Sequence, residues 1–570
     1  MGKPIIEFKD FSFRYKEQKN PTLHDINLTI NKGEKILILG ASGSGKSTLC
    51  NCINGLIPFS YGGEIKGSCT VNGKDTQKES IFALSNYVGT VLQDSDAQFV
   101  GLTVGEDVAF VMENDVTPKS KMLPLIDRNL NTVGMRHFID HVPFDLSGGQ
   151  KQKVAIAGVF GNDVEVLIFD EPLAALDPQM GMTAVALIDD LAKNNDKTVV
   201  IVEHRLEDVL YRSIDRIILM KEGRIVADLS PDELLKSDYL KECGIREPLY
   251  LTAMKYAGCD IGRIHNLCDL ENIELSDSDR KKLKKFFDSP SGKQKEDNGD
   301  VIVKFDHVSF AYDDEKALDD VSFEIRRGER IAIIGKNGAG KSTAAKLLCG
   351  LIRPQEGMIY LYGEDLNRFT VKEIGEKVGY VMQNPNQMLV KDIIKDEVGL
   401  ALDLREMPAE QIEEIVKEVL EACRLYTMRN WPVDSISYGQ KKRVTVASIM
   451  AMQPEILILD EPTAGQDFNS YTDIMNFVNE LNRNYGKTIV FITHDMHLAI
   501  ENTERAIVFA DGKKIDDDKV FAVLSNNETI TRAHLKQTSL YHLAVKVGSD
   551  PYTAIRSFIE HERKVVKHEQ

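Results

Sequence analysis

Two loops of the form G-x-x-x-x-G-K-S constrain this chain more than any other feature: Gly40-Ala-Ser42-Gly43-Ser44-Gly45-Lys46-Ser47 and Gly335-Lys-Asn337-Gly338-Ala339-Gly340-Lys341-Ser342. Each follows an apolar, strand-like run and opens a helix, with Thr48 and Thr343 next in the chain. Behind them the same landmarks recur in one order. The first half carries Gln93, Leu146-Ser-Gly-Gly-Gln150, Val166-Leu-Ile-Phe-Asp170-Glu171 and His204; the second carries Gln383, Ile436-Ser-Tyr-Gly-Gln440, Ile456-Leu-Ile-Leu-Asp460-Glu461 and His494. From the glutamine onward every pair is 290 positions apart (383 and 93, 437 and 147, 460 and 170, 494 and 204), which marks a duplicated domain.

The runs before Asp170 and Asp460, and those at Thr198 to Val202 and Thr488 to Ile492, are almost wholly apolar, as expected of parallel strands covered on both faces. Strand, loop and helix in this order predict an α/β fold: two tandem P-loop NTPase domains with doubly wound cores. The expected boundaries are 1–243 and 301–533 for the two domains. Between them, 244–300 reads as a mainly helical segment packed beside the first domain, ending in the polar linker Ser289 to Asp300. Residues 534–570 read as a small helical C-terminal extension with a solvated, charged tail.

At 570 residues the chain is too long for one core, and its 42% hydrophobic and 28% charged residues are those of a globular protein. The longest apolar runs are strand-sized, far short of the roughly 18 to 20 residues that span a bilayer, so any membrane role is borrowed from partners. The N-terminus has neither a secretory pattern nor the Ser or Thr at position 6 of a myristoylation site. Eight cysteines without paired zinc-type spacing read as reduced cytoplasmic thiols. A net charge of -18 argues against broad phosphate-neutralising contact with nucleic acid, and none is expected as a partner.

The chemistry follows from the loops. Their backbone N–H groups turn around phosphate oxygens, the helix dipole adds positive potential, and Lys46 or Lys341 brings a full charge to the β and γ phosphates. Ser47 and Ser342 are placed to hold Mg²⁺. Asp170 and Asp460 end apolar strands, where a carboxylate is costly unless it faces a cation, directly or through water. Glu171 and Glu461 follow at once, positioned to polarise an attacking water, a role worth about 10² to 10⁴ in rate.

The ordered set of P-loop, Gln, L-S-G-G-Q, strand-Asp-Glu and His resembles the nucleotide-binding domains of ABC proteins over roughly residues 3 to 240 and 301 to 530. The resemblance implies that ATP with Mg²⁺ is bound and hydrolysed, that each domain has a helical subdomain, and that the two domains pair within the chain. It implies crosswise sites: Lys46, Gln93, Asp170, Glu171 and His204 with Ser437, Gly439 and Gln440; Lys341, Gln383, Asp460, Glu461 and His494 with Ser147, Gly149 and Gln150. By the same likeness His204 and His494 contact the γ phosphate, and Gln93 and Gln383 are catalytic residues that also hold the metal. Tyr15 and Tyr312 match the adenine-stacking aromatic, although either is equally readable as a core strand tyrosine. Ala175-Leu-Asp177 and Gly465-Gln-Asp467 match the loops that touch the opposite site. One departure stands out: Tyr438 replaces the glycine at Gly148, predicting that the site built on Lys46 and Ser437 turns over differently from its partner.

Gln383-Asn-Pro-Asn-Gln387 and Gln93-Asp-Ser-Asp-Ala-Gln98 are similar to the corresponding loops of energy-coupling-factor importer ATPases, as is the stretch from Gly244 to Gly258. The first loop lacks the proline of that pattern and the second is one residue short. This likeness implies a peripheral protein on the cytoplasmic face of the cell membrane, working with a transmembrane coupling protein and a membrane substrate-binding protein to import a vitamin or metal ion. Two other readings remain. A ribosome-acting ABC-F protein shares duplicated cassettes but usually has a long charged linker helix, whereas here the linker is broken by Pro290 and Gly292. A sugar importer ATPase often has a degraded second cassette, whereas both are intact here.

Overall fold

The computed structural model describes residues 2–92, 98–160, 164–173, 176–195, 197–289, 299–463, 466 and 468–569. Gln93, Ala175, Gly465 and Asp467 lie outside the described residues. The chain forms two compact units, Met1–Leu251 with Ile261–Leu275, and Thr252–Asp260 with Ser276–Gln570.

The first unit is built on a six-stranded sheet in the order Arg224–Leu229, Arg216–Lys221, Lys35–Leu39, Thr198–Val202, Val166–Asp170, Val88–Val91. All its neighbours are parallel except the first pair. A four-stranded antiparallel sheet is nucleated by the pairing of Pro4–Tyr15 with Leu23–Asn31 and Gly63–Val71. The core lies between the sheets, where Phe8, Phe11 and Phe13 meet Ile36, Ile38, Ile168, Val200 and the P-loop helix residues Leu49 and Ile53. The second unit repeats this plan with strands Val378–Val381, Ile456–Asp460, Thr488–Thr493, Arg330–Ile334, Arg505–Ala510 and Lys513–Lys519. Strand Ile456–Asp460 shows why the sequence there is apolar throughout. Ile456 and Ile458 point to the antiparallel sheet, while Leu457 and Leu459 point to the helix Phe468–Tyr485 through Tyr471, Ile474 and Val478.

Each cassette has the expected helical subdomain. In the second, helices Ile394–Asp403, Ala409–Ala422 and Tyr438–Met450 share a core of Ile394, Val398, Val416, Leu420 and Val444. In the first, the corresponding helices are Val104–Asn114, Lys119–Thr132 and Gly148–Val159.

Two expectations at the edges of the cassettes need correction. Only part of segment 244–287 stays with the first unit; helix Asp277–Phe287 belongs to the second. There Phe287 is fully buried, its carbonyl accepts from Ser557 Oγ at 2.8 Å, and Arg280 donates to the Lys546 carbonyl at 3.1 Å. Nor is the C-terminal tail merely solvated. Helix Pro551–Glu569 buries Ile555, Phe558 and Ile559, Glu562 accepts from Tyr256 Oη at 2.7 Å, and Arg563 donates to the Thr503 carbonyl at 2.6 Å. The duplication in fact runs into this extension: Gly548 caps helix Ser539–Val547 at φ 72, and Gly258, 290 positions earlier, follows helix Leu249–Tyr256 at φ 74.

Candidate active sites

Strand Lys35–Leu39 delivers the first P-loop at its C-terminal end, and Arg330–Ile334 delivers the second. Gly45 and Gly340 cap the helices Lys46–Ile53 and Lys341–Leu348 in the left-handed region, at φ 100 and 98, where a side chain would be strained. Inside each loop Gly43 and Gly338, at φ 76 and 77, face open space, with nothing within 4 Å of an added Cβ. The buried Ser44 Oγ has no hydrogen-bond partner among the described residues. A buried hydroxyl left so costs about 1–3 kcal/mol, and a phosphate oxygen in the open loop would satisfy it. Lys46 Nζ donates to the Gly40 and Ala41 carbonyls at 2.8 and 3.0 Å, and Lys341 Nζ to those of Gly335 and Lys336 at 2.7 and 2.9 Å. Both ammonium groups are thus held across their own loops. The residues fit a bound polyphosphate.

They also fit a hard cation. Ser47 Oγ donates to Asp170 Oδ1 at 3.3 Å. Burial pushes the Asp170 carboxyl up to about 6; the Ser47 bond and Lys46 oppose this, while Glu171 and Glu203 add to it. Asp460 is raised for the same reason, against bonds from Ser342 and from Tyr380 Oη at 2.8 Å. A hydroxyl beside a buried carboxylate short of positive charge is an oxygen donor set suited to Mg²⁺.

Glu171 and Glu461 sit one residue further on, both in the left-handed region, at φ 47 and φ 45. For a residue with a side chain this costs of order 1–3 kcal/mol and persists only where the surroundings impose it. Burial alone would raise both carboxyls, but His204 with Lys46, and His494 with Lys341 and Thr493, hold them below the ordinary carboxylate range. The grip differs. His494 Nδ1 lies 2.7 Å from Glu461 Oε1 and Thr493 Oγ1 donates to Oε2 at 3.2 Å, whereas His204 Nδ1 lies 3.7 Å from Glu171 Oε1. Where the second cassette has Thr493 the first has Glu203, fully buried, accepting from the backbone N–H of Leu173 at 2.9 Å and of His204 at 3.1 Å.

The signature sequences form capping boxes. Ser147 and Gln150 exchange bonds, Ser147 N to Gln150 Oε1 at 2.9 Å and Gln150 N to Ser147 Oγ at 3.4 Å, and Ser437 and Gln440 do the same at 2.8 and 3.3 Å. The glutamine therefore has a structural role, fixing the helix start whose free N–H groups suit an anion. Gly149 and Gly439 lie in the first turns of these helices. Tyr438 is 40% exposed, with its hydroxyl and ring leaning on its own cassette. Its hydroxyl donates to the Gln383 carbonyl at 3.4 Å and Lys442 Nζ lies 5.5 Å from its ring centroid. Gln383 itself is exposed.

The two tyrosines of the resemblance are not equivalent. Tyr312 is 44% exposed, with Lys346 Nζ 6.0 Å from its ring centroid. Tyr15 is half-buried, its hydroxyl 3.2 Å from Thr48 Oγ1 and its ring edge-on to Phe13 and Tyr61. Residues 42, 337, 339 and 343 complete the P-loops and their helices as expected, Ala339 and Thr343 buried. Asp177, also buried, accepts from Met180 N at 2.9 Å at the start of helix Pro178–Asn195. Sequence reasoning missed Glu203, Thr493, Tyr380, Gln152 and Lys442. Laying the halves over one another at 290 positions would have shown Glu203 against Thr493 and Gln152 against Lys442 as the points where matching scaffolds differ.

A family profile described as ABC transporter matches residues 23–174 and 318–464, and one described as ATP-binding cassette cobalt transporter matches 237–310. A Clostridium perfringens protein provisionally named an ABC transporter ATP-binding protein is 51% identical over 98% of this chain and 99% of its own length. Relatives with the same provisional name are 51% identical in Enterococcus faecalis, over 99% of this chain and 100% of the relative, and 48% identical in Vibrio parahaemolyticus, over 99% and 96%. A solved structure of CbiO1 from Clostridium perfringens is 30% identical over 43% of this chain and 99% of that one, with a TM-score of 0.39. The chain belongs to the ABC transporter family. It is a transporter ATPase with two ABC cassettes, and it binds and hydrolyses ATP with Mg²⁺.

Proposed function

We propose that this chain powers an energy-coupling-factor-type importer of a vitamin or metal ion from the cytoplasmic face of the cell membrane. The observation that carries the reading is the match of residues 237–310, which include the segment between the cassettes, to the cobalt-transporter profile. The second glutamines that follow Gln93 and Gln383 in their loops, Gln98 and Gln387, support it. Among the described residues no helix is long and apolar enough to cross a membrane. In this reading a membrane coupling protein and a membrane substrate-binding protein complete the system.

In this reading the first ATP is held by Tyr15, the loop from Gly40 to Thr48 and Lys46, and is closed by Ser437, Gly439 and Gln440; the second by Tyr312, the loop from Gly335 to Thr343 and Lys341, and is closed by Ser147, Gly149 and Gln150. Ser47, Asp170 and Gln93 in one site, and Ser342, Asp460 and Gln383 in the other, hold Mg²⁺, which when bound offsets phosphate charge. Glu171 and Glu461, kept ionised by their histidines, orient the attacking water and accept its proton. His204 and His494 then face the γ phosphate. The closed arrangement is favoured by ATP and lost on hydrolysis, and this population shift is what the membrane partners feel.

Replacing Gln98 and Gln387 together by alanine in the full chain, co-expressed with its membrane partners, is expected to abolish uptake of cobalt or a vitamin while leaving ATPase activity of the isolated chain within about twofold. Undiminished uptake would contradict the coupling role of these loops. If the purified chain brings down no multi-span membrane protein, the importer reading fails.

A further inference from the structure

The left-handed corner that presents each catalytic glutamate is held from behind by a buried side chain of the signature helix. Lys442, 3% exposed, donates from Nζ to the Glu461 carbonyl at 2.8 Å; Gln152, 7% exposed, donates from Nε2 to the Pro172 carbonyl, one peptide further on. Each lies five residues after its signature serine, on a helix whose start is fixed by a Ser–Gln capping box. The helix end and the donor therefore move together. The strained corner and the signature turn share one hydrogen-bonded connection inside each cassette.

The second cassette builds this connection more heavily. A buried ammonium is costly without partners: burial brings Lys442 down to about 8 against the opposing Glu461 and Asp460 charges, and the Glu461 carbonyl accepts from its Nζ. A charged donor makes the stronger bond to the carbonyl. Tyr438 adds a second tie, its hydroxyl on the Gln383 carbonyl and its ring beside the same Lys442. Gly148 at the matching position of the first cassette has no side chain to do this.

We propose that Gln152 and Lys442 are positioning residues that lock the catalytic-glutamate corner of their own cassette to its signature helix, and that Tyr438 extends the lock of the second cassette to the loop after Gln383. A shift of the signature turn is then transmitted within the same cassette to the carboxylate that orients water. The inference rests on Glu171 and Glu461 being the bases, and both are anchored through the backbone that these side chains hold.

The test uses the full chain in two backgrounds. Glu171→Gln leaves turnover to Glu461, and Glu461→Gln leaves it to Glu171. Adding Lys442→Met to the first is expected to lower kcat about tenfold with KM for ATP changed less than about twofold, and to leave the second background unchanged within about twofold. Lys442→Gln, which imports the amide of the first cassette, is expected to recover kcat to within about threefold of Lys442, and Gln152→Met to show the mirror pattern. Tyr438→Phe, a milder change that keeps the ring, is expected to lower kcat about twofold in the Glu171→Gln background alone, which keeps the test alive if Lys442→Met folds poorly. Equal losses in both backgrounds, a loss confined to KM, or no loss would overturn the lock. Turnover unaffected by the two Glu→Gln changes themselves would instead remove the base assignment beneath it, a result read before Lys442 is touched.

Discussion

The two Asp-Glu corners are spelled almost identically, yet they are not held identically. Asp460-Glu461 is gripped by His494 at 2.7 Å, by Thr493 at 3.2 Å and, through its backbone, by Lys442; Asp170-Glu171 faces His204 at 3.7 Å beside the buried carboxylate of Glu203. The motif letters set which atoms are present. Residues one or two positions away from the motif set how tightly those atoms are aimed, and a catalytic carboxylate misplaced by even about 1 Å loses much of its effect. We propose that the two sites work at unequal rates because of this difference and of Tyr438.

The bluntest way to break the comparison is to remove both bases. Glu171→Gln with Glu461→Gln is expected to lower ATP turnover by about 10² or more, measured as phosphate release, because general-base assistance is worth about 10² to 10⁴. Retained turnover would mean that neither corner carries the chemistry. Nucleotide contact comes next. Tyr312, exposed at the rim, is expected to raise KM for ATP about tenfold when changed to alanine, as stacking on a base is worth about 1–3 kcal/mol. Tyr15, tied to Thr48 and Tyr61, is expected to change KM by less than about threefold, and equal effects would erase this contrast. The smallest expected effect sharpens the signature contrast. Tyr438→Gly in the Glu461→Gln background, where Glu171 alone works, is expected to raise kcat about threefold, or about 0.6 kcal/mol of barrier. A fall would assign Tyr438 a supporting role at that site.

Much of this is legible in the residues alone. The glycine loops, the strand carboxylates and the duplicated register are contiguous, and the chemistry of phosphate and cation binding leaves little choice of residue at each place. The α/β core is readable for a similar reason: strands such as Val166–Asp170 and Ile456–Asp460 have no polar face because both faces are covered. What escapes is partnership across the chain. Periodicity shows that helix Asp277–Phe287 has an apolar face but not that Ser557 and Phe558 belong to the unit that covers it, so residues 244–287 read as a neighbour of the first cassette throughout. The tail reads as solvated because Arg563 and Glu562 are charged, yet long side chains can seat their heads on a backbone carbonyl or a tyrosine hydroxyl. Tyr438 reads as bulk added to its helix end, whereas a hydroxyl within reach of the Gln383 carbonyl turns the ring back on its own cassette.

Whether the chain has two working but unequal ATP sites is decided by the residual ATP turnover of Glu171→Gln and Glu461→Gln measured side by side. Both are expected to exceed the double variant, and Glu171→Gln, relying on the tightly held Glu461, is expected to retain the larger rate. Equal residual rates, or a larger rate left by Glu461→Gln, would contradict it.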